Sequence, residues 1–226
     1  MENKNFIIAI DGPVGSGKGT LATALAKKLN ALYIYTGGMY RALALKCLRN
    51  NIDLENEGEV LKVLDDTEIK LGPTEYVTRV FLDGEDVSSE IFFLKVGQTV
   101  PIVAAHKEVR KEMVDRQKKL IEEGTVIIEG RDIATDVSPN ADIKIYLTAD
   151  LETRAKRRQA QYQKKGINMS LEQIVKEVEE RDNRDIQRDA SPLTVVKDAI
   201  IVDTTNDTIE QTVEKVEEKL REKGLI

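Results

Sequence analysis

The chain has 226 residues, of which 41% are hydrophobic and 33% are charged. This balance predicts a folded protein with one globular domain and room for subdomains, and it excludes a disordered chain. The 34 basic and 40 acidic residues give a formal net charge of −6. That charge disfavours an extended surface for nucleic acid or for anionic membranes. It does not exclude a nucleotide, because a compact polyanion needs only a local basic pocket.

Two residue types occur only once, and this excludes two kinds of site. Cys47 is the only cysteine and His106 the only histidine, so neither an intramolecular disulfide nor a zinc site is expected. No apolar run reaches the length of a membrane span. The chain enters its first predicted strand almost at once, which leaves no room for a signal peptide. We therefore expect a cytoplasmic protein.

The amino-terminal stretch has the order strand, glycine-rich loop, helix. Residues 6–10 are apolar and branched, which predicts a buried parallel strand, and apolar residues at helical spacing follow over 21–29. The glycines and Lys18 between them have the spacing of a phosphate-binding loop, whose backbone N–H groups hold anionic oxygens. The residues predicted to bind a nucleoside triphosphate are Gly12, Pro13, Val14, Gly15, Ser16, Gly17, Lys18, Gly19 and Thr20.

The end of this loop departs from the strict pattern. Gly19 follows Lys18, and the hydroxyl comes one position later, at Thr20. The order Gly-Lys-Gly-Thr is typical of nucleoside monophosphate kinases more than of GTPases. It leaves open whether Thr20 contacts Mg²⁺ directly or through water.

Further strands and helices alternate along the chain. Apolar segments predict four more core strands, at 32–35, 125–129, 142–147 and 199–203. Helices are predicted over 39–50, 57–66, 151–165 and 170–185, and in a last helix with an apolar face at Ile209, Val213, Val216 and Leu220. Ser170 and Gln173 form a predicted capping box. Five strands alternating with helices predict an α/β fold with a five-stranded parallel sheet covered on both faces, and ligands of such sheets bind at the carboxyl ends of strands.

The middle of the chain interrupts this alternation. Segments 68–71 and 77–82 resemble strands, and Asp83-Gly84 indicates a hairpin, so we predict a small antiparallel sheet inserted in the α/β frame. Residues 88–123 are predicted to be mostly helical, with an interruption at Pro101 and an end at Gly124.

Arginines and carboxylates cluster after the predicted strands and on two polar helices. Phosphoryl transfer needs such groups, because arginine, lysine and magnesium neutralise the charge spread over the transferred group. Positions 181, 185 and 188 would share one helix face. Any single arginine can instead be a solvated surface residue, so the inference depends on the cluster. Its members are Thr36, Tyr40, Arg41, Arg110, Glu129, Arg131, Asp132, Arg154, Arg157, Arg158, Arg181, Asp185 and Arg188.

At these residues the chain resembles the bacterial-type cytidylate kinases (CMP/dCMP kinases), which are P-loop nucleoside monophosphate kinases, and the resemblance runs from the first strand to the last helix. The phosphate loop alone indicates only a large superfamily. The segments that carry the more specific resemblance are 36–41 (TGGMYR), 84–88 (GEDVS), 130–132 (GRD), 154–158 (RAKRR), 181–185 (RDNRD), 191–193 (SPL) and 203–205 (DTT).

The resemblance implies three parts with separate roles. It implies a P-loop kinase core over about 1–36, 122–150 and 196–226, an insertion over about 37–121 that helps to bind CMP, and a helical, arginine-bearing lid over about 151–190. The implied substrate-binding residues are Thr36, Tyr40, Arg41, Arg110, Arg131, Asp132, Arg181, Asp185 and Arg188. Of these, Asp132 would recognise the amino group of cytosine, and Arg181 and Asp185 would lie near the sugar.

The resemblance also implies the chemistry. It implies Mg²⁺-dependent transfer of the ATP γ-phosphoryl group to CMP or dCMP, without a strong general base, because the acceptor is already an anion. Arg157 would bind ATP. The implied catalytic residues are Lys18, Arg131, Arg154, Arg158 and Arg188. No metal site made by the protein alone is expected, and we expect a monomer that binds neither nucleic acid nor membrane.

Several positions depart from the family pattern. Tyr35 stands where these kinases usually carry an aspartate, Pro101 stands in place of a serine, and Phe92 and Phe93 replace an Arg-Thr-like pair. Glu129 replaces a commoner aspartate. All but Glu129 fall on the acceptor side, which leaves open whether UMP is also accepted.

Three alternatives differ in their class of function. The first is another small-molecule P-loop kinase, acting on UMP, AMP or a non-nucleotide acceptor. The second is a nucleotide-dependent switch, which would need a guanine-reading Asn-Lys-x-Asp motif that this chain lacks. The third is a nucleic-acid-binding protein using the basic run at 154–165, where only Tyr162 offers an aromatic platform.

Overall fold

Two sheets organise the chain in the computed structural model, which describes residues 5–74, 77–121 and 124–226. The strands are β1 (Ile7–Asp11), β2 (Leu32–Tyr35), β3 (Ile69–Thr74), β4 (Val77–Leu82), β5 (Glu85–Asp86), β6 (Val126–Glu129), β7 (Ile143–Thr148) and β8 (Ile200–Asp203). The α-helices are α1 (Lys18–Leu29), α2 (Thr36–Arg49), α3 (Glu57–Asp65), α4 (Leu94–Val103), α5 (Lys107–Lys118), α6 (Leu151–Gln163), α7 (Leu171–Gln187) and α8 (Ile209–Glu222).

The larger sheet confirms the predicted fold class. Within the described ranges it has five strands in the order β2-β6-β1-β7-β8, all parallel. Ile8 of the central strand β1 pairs with Ile127 on one side and Ile143 on the other. Helices α1 and α8 cover one face, and the other face packs against a cluster that includes Val114 of α5. The strands are apolar because both faces of the sheet are buried. Their carboxyl ends therefore meet at one edge, where the loops are charged.

The predicted antiparallel insertion is also confirmed. Strands β3, β4 and β5 form a three-stranded sheet, and Asp83 and Gly84 form the tight connection between β4 and β5. Val80 and Leu82 of β4 pack against Met39 of α2 in a core that is separate from the larger sheet. The small sheet and helices α2 to α5 thus form a unit with its own apolar interior.

Helices α6 and α7 pack side by side. Ser170 caps α7 in the predicted capping box with Gln173. Ile174 and Val178 of α7 meet Ala155 of α6 in a small apolar cluster. No helix in the described part of the chain is both long and apolar enough to span a membrane.

The predicted break at Pro101 is wrong. Helix α4 continues through Pro101 to Val103, and the chain leaves helical geometry only at 104–106. Proline near the end of a helix removes a single hydrogen bond. Val96, Val100 and Val103 are buried in the insertion core, and their packing outweighs that loss.

Two helix ends also differ from the predictions. Helix α5 ends at Lys118 rather than 123, and positions 122 and 123 lie outside the described residues. Helix α7 ends at Gln187, so Arg188 lies just beyond it, in extended backbone conformation, instead of on the helix face. The carbonyl of Asp185 accepts from the backbone N–H of Leu193 at 2.8 Å, which turns the chain away from the helix axis. The pattern also gave no sign of the π-helical turn Ile133–Val137.

Candidate active site

The phosphate-binding loop joins β1 to α1 at the charged edge of the sheet. Gly15 and Gly17 have φ angles of 77° and 97°, which favour glycine. A Cβ atom on Gly12 would clash with the backbone carbonyl oxygen of Leu147. Glycine at position 12 therefore lets the loop approach β7 closely, and the left-handed residues turn the backbone into the concave form that binds anions.

Lys18 is buried inside this loop. Its Nζ donates to the carbonyl oxygens of Gly12 and Pro13, both at 2.8 Å, and contacts the Ser16 hydroxyl at 3.5 Å. Burial, with the nearby Arg131 guanidinium, lowers the pKa of the Lys18 ammonium below its ordinary value. An anionic phosphate would reverse this effect, because an opposite charge favours the charged form.

Helices α6 and α7 hold the loop through a buried ion pair. Arg154 of α6 pairs with Asp182 of α7. Arg154 also donates to the carbonyl oxygens of Val14 at 3.1 Å and Ala149 at 2.9 Å, while Asp182 accepts from the Val14 N–H at 3.2 Å. The pair thus binds both backbone groups of one loop residue, so the position of the two helices and the shape of the loop are coupled.

A second set of contacts to the phosphate-binding loop comes from the end of β8. Arg157 donates to the Thr204 hydroxyl at 2.9 Å and to the Thr204 carbonyl oxygen at 2.6 Å. The Thr204 hydroxyl in turn donates to the Ser16 carbonyl oxygen at 3.2 Å. This chain of contacts sets Arg157 against the mouth of the phosphate loop.

A cavity opens beside the loop, between the insertion, the end of β6 and the carboxyl end of α7. Five arginines and three carboxylates line it, an excess of two positive charges. That excess matches a phosphate monoester dianion, and arginine binds phosphate oxygens in a bidentate manner. The lining residues are Tyr35, Thr36, Gly37, Tyr40, Arg41, Val100, Pro101, Ala104, Arg110, Glu129, Gly130, Arg131, Asp132, Arg181, Asp185 and Arg188.

Asp185 is the centre of the arginine cluster. It accepts from Arg131 Nε at 2.8 Å and from Arg188 Nη1 at 3.3 Å. Burial opposes its ionisation, but the guanidiniums of Arg131, Arg181 and Arg188 outweigh burial and hold the pKa of Asp185 below its ordinary value. Burial and the charge of Arg131 lower the pKa of Arg181 to about 10. The arginines are therefore crowded, and an added anion would relieve their repulsion.

A second buried pair forms the opposite wall. Arg110 of α5 pairs with Asp132 and donates to the Ala104 carbonyl oxygen at 3.0 Å. Its guanidinium lies 5.3 Å from the centre of the Tyr40 ring. Within the described residues, Arg110 Nε and the Tyr40 hydroxyl are buried without a hydrogen-bond partner. Such atoms are costly unless they are paired, so they indicate a place where a polar ligand bonds.

The ends of β1 and β6 fix the turn that carries Arg131 and Asp132. The Asp11 carboxylate accepts from the N–H groups of Ile133 and Ala134 at 3.0 and 2.8 Å. Burial raises the pKa of Asp11 to about 6, although these two N–H groups favour its ionised form. The turn behind the cavity is thus held by a carboxylate from the strand that leads into the phosphate loop.

The nine predicted substrate residues all lie at the cavity, whereas Arg154, Arg157 and Arg158 of α6 are not among its lining residues. Arg154 and Arg157 instead bond to the backbone around the phosphate loop, and Arg158 stacks on Tyr162 at 4.4 Å and donates to its hydroxyl at 2.8 Å. The catalytic or ATP-binding roles of these three arginines stay predictions.

Three participating residues were not assigned a role from the sequence. Asp182 and Thr204 hold the loop, and the Tyr33 hydroxyl donates to Glu129 Oε1 at 2.6 Å. A signal existed for Asp182 alone, because it follows Ile174 and Val178 at helical spacing. A carboxylate in an apolar stripe indicates a buried partner.

The donor set fits magnesium that arrives with a nucleotide. No group of three or more His, Cys, Asp or Glu residues that could hold a metal occurs in the part of the chain that the structure describes. Mg²⁺ is commonly bound by phosphates, water and one or two protein oxygens. Thr20 is exposed in the first turn of α1, and Glu129 Oε1 lies 3.1 Å from where a Cβ on Gly19 would stand.

Comparison with known proteins gives one family. A model of the family described as cytidylate kinase matches residues 8–222. A cytidylate kinase from Lysinibacillus sphaericus is 46% identical over 202 residues, which cover 89% of this chain and 90% of that protein. The cytidylate kinase of Bacillus cytotoxicus is 45% identical over 204 residues, covering 90% and 91%. Among solved structures, an uncharacterized protein from Eubacterium ventriosum covers 96% of this chain and 99% of its own, with a TM-score of 0.52 at 14% identity, and thus shares the fold.

Proposed function

The chain belongs to the cytidylate kinase family, and we propose that it transfers the γ-phosphoryl group of ATP to CMP and dCMP. The observation that carries this proposal is the juxtaposition of two anion sites. The glycine-rich loop with Lys18 lies beside a cavity with an excess of two positive charges. Two neighbouring anion sites suit a reaction between a triphosphate and a phosphate monoester.

The proposed roles follow the three parts of the chain. The core over 1–36, 122–150 and 196–226 binds ATP through the loop, with Arg157 at its mouth. The end of the core supplies Thr36 to the acceptor, and the insertion over about 37–121 supplies Tyr40, Arg41 and Arg110. Residues 151–190 act as the lid and contribute Arg154, Arg158, Arg181, Asp185 and Arg188. All of these groups come from one chain, so the proposed site needs no second copy.

The chemistry is positioning and neutralisation. The acceptor phosphate lies against Arg41, Arg131 and Arg188. One of its oxygens attacks the γ-phosphorus in line while the bond from this phosphorus to the β–γ bridging oxygen breaks, so that ADP leaves. Lys18 moves its hydrogen bonds from the loop carbonyls to phosphate oxygens. Mg²⁺ would arrive with ATP beside Thr20, and it would supply further neutralisation of phosphate charge. No strong base is needed, since the attacking oxygen carries no proton that must leave first.

The acceptor base is read at the Arg110–Asp132 pair. Asp132 accepts from the amino group of cytosine. The Nε of Arg110 and the hydroxyl of Tyr40, which have no hydrogen-bond partner among the described residues, supply further polar atoms. Pro101 lines the same cavity and offers neither a side-chain hydroxyl nor a backbone N–H. UMP is therefore a second candidate acceptor, because one means of rejecting it is missing.

The test is ADP production from ATP and Mg²⁺, with CMP, dCMP, UMP and AMP supplied separately. The proposal predicts rapid turnover with CMP and dCMP and slower turnover with UMP. Equal turnover with UMP and CMP would mean that the protein accepts pyrimidine nucleoside monophosphates in general. Turnover with AMP alone, or with none of the four, would contradict the proposed acceptor.

A further inference from the structure

Two residues that depart from the family pattern stack on each other beside the cavity. Tyr35 ends β2, and Phe92 lies in the short 3₁₀ turn Glu90–Phe92 before α4. Their ring centres are 6.1 Å apart, and their planes differ by 7°. The Tyr35 ring fits because two glycines lie under it, and a Cβ on Gly37 or Gly38 would come within 2.9 Å of ring atoms. The pair is therefore held in a defined place at the start of α2.

The Arg41 guanidinium is fixed by this pair. Arg41 is buried, its Nε donates to the Tyr35 hydroxyl at 3.1 Å, and its Nη1 donates to the Ile91 carbonyl oxygen at 2.9 Å. Its central carbon lies 5.3 Å from the centre of the Phe92 ring. These two hydrogen bonds use Nε and Nη1, and Arg41 also lines the cavity. The three contacts thus hold one part of the guanidinium and leave another for a ligand.

The same ring also meets the connection between α6 and α7. Lys165 Nζ lies 4.9 Å from the centre of the Phe92 ring and donates to the Phe92 carbonyl oxygen at 3.1 Å. Two cations from different parts of the chain therefore share one aromatic ring, whose negative face offsets their repulsion. This contact joins the predicted lid to the insertion.

We propose that Tyr35 and Phe92 are positioning residues that hold Arg41 for the acceptor phosphate, and that Lys165 ties the lid to this arrangement through Phe92. The inference rests on the proposed function, because Arg41 acts on the acceptor only there. A hydroxyl acceptor and an aromatic ring limit the rotamers of a long side chain, which lowers the entropy lost when the phosphate binds. Their effect should therefore fall on the acceptor and not on ATP.

The test uses two substitutions with a matched control for each. Tyr35→Phe removes only the hydroxyl and keeps the ring. Phe92→Leu removes the ring at a residue that is 42% exposed, and Phe93→Leu, at a neighbour that is 57% exposed, is its control. Phe92→Tyr keeps the ring and should restore the wild-type behaviour. Initial rates are measured against CMP and against ATP, and CMP binding without ATP is measured by calorimetry.

Tyr35→Phe and Phe92→Leu should each raise KM and Kd for CMP about three- to tenfold, the range expected for one cation–π contact or one typical net hydrogen bond. KM for ATP should stay within about twofold in both, since neither residue touches the phosphate loop. Lys165→Met should raise KM for CMP by less, about twofold.

Two results would overturn the inference. One is a wild-type KM for CMP in both variants, and the other is an equal rise in KM for ATP, which a general structural role would produce. Should Phe92→Leu fail to fold, the single-atom variant Tyr35→Phe still decides the matter. A wild-type protein that neither binds nor phosphorylates CMP would instead overturn the proposed function, so the two failures are distinguishable.

Discussion

The insertion and the paired helices α6 and α7 both border the candidate site, but different forces hold them. The insertion has its own apolar core, in which Leu43, Val60, Val80 and Met113 are fully buried. Helices α6 and α7 share a much smaller apolar cluster and reach the phosphate loop through the Arg154–Asp182 ion pair. Apolar packing does not respond to an anion, whereas a guanidinium can exchange a carboxylate for a phosphate. We therefore expect the two helices, and not the insertion core, to respond to the nucleotide.

The largest expected effect lies where the two regions meet, at Arg188. Replacing it in Arg188→Met should lower kcat/KM for CMP about 100- to 1,000-fold, because a contact made to the transition-state charge is lost. Arg184→Met, at an exposed position one turn earlier on α7, is the matched control and should keep the wild-type rate. Steady-state kinetics measure both variants, and circular dichroism checks the fold. A fully active Arg188→Met would remove this arginine from the proposed mechanism.

Breaking the ion pair tests the force that holds α6 and α7. Asp182→Asn leaves the buried Arg154 charge unpaired and should lower the free energy of unfolding by about 3 kcal/mol. Hydrogen exchange should rise in α6 and α7 while the insertion stays protected. Glu179→Gln, at an exposed position on the same helix, should change neither quantity. Equal exchange in both regions after Asp182→Asn would mean that the two helices are not held separately.

The complementary change is a cavity in the insertion. Leu43→Ala should cost about 3 kcal/mol, from lost burial and from the void left behind. Here hydrogen exchange should rise in α2 to α5, and α6 and α7 should keep their protection. If the variant loosened α6 and α7 first, the comparison between the two regions would fail.

The smallest effect concerns the buried carboxylate at the sheet edge between the two regions. The native pKa of Asp11, about 6, lies above its ordinary value of 3.8, so the native state binds the extra proton between these values. The contribution of this proton to the free energy of unfolding is complete below about pH 4 and is lost as pH rises through about 6. The stability of the wild type relative to Asp11→Asn should thus fall by on the order of 2 kcal/mol between about pH 4 and pH 7. Urea unfolding at both pH values measures it, and an unchanged difference would contradict the raised pKa.

The sequence predicted those structural elements that depend on residues lying close together in the chain. Glycine spacing and the apolar run before it located the phosphate loop, and the capping box at Ser170 located the start of α7. It could be predicted that the nine acceptor residues lie together at one cavity, because the loops after parallel strands converge and because the resemblance named these positions.

The missed features depend on partners that are distant in the sequence. Helix α4 passes through Pro101 because its valines are buried in the insertion core with residues of α2, which lie much earlier in the chain. The contact between Arg154 and Asp182 was not predicted, because nothing in helix α6 shows that Asp182 of α7 lies opposite. The positions of Tyr35 and Phe92 stood out as departures, but only the fold brings both rings to Arg41.

The most direct test of the account is to observe the transferred group itself. ³¹P NMR of the protein with ATP, Mg²⁺ and CMP should show CDP and ADP appearing together in equal amounts, with no inorganic phosphate. That result would establish transfer between the two neighbouring anion sites. ADP and inorganic phosphate without CDP would mean that water is the acceptor, and the proposed role of the arginine-lined cavity would be wrong.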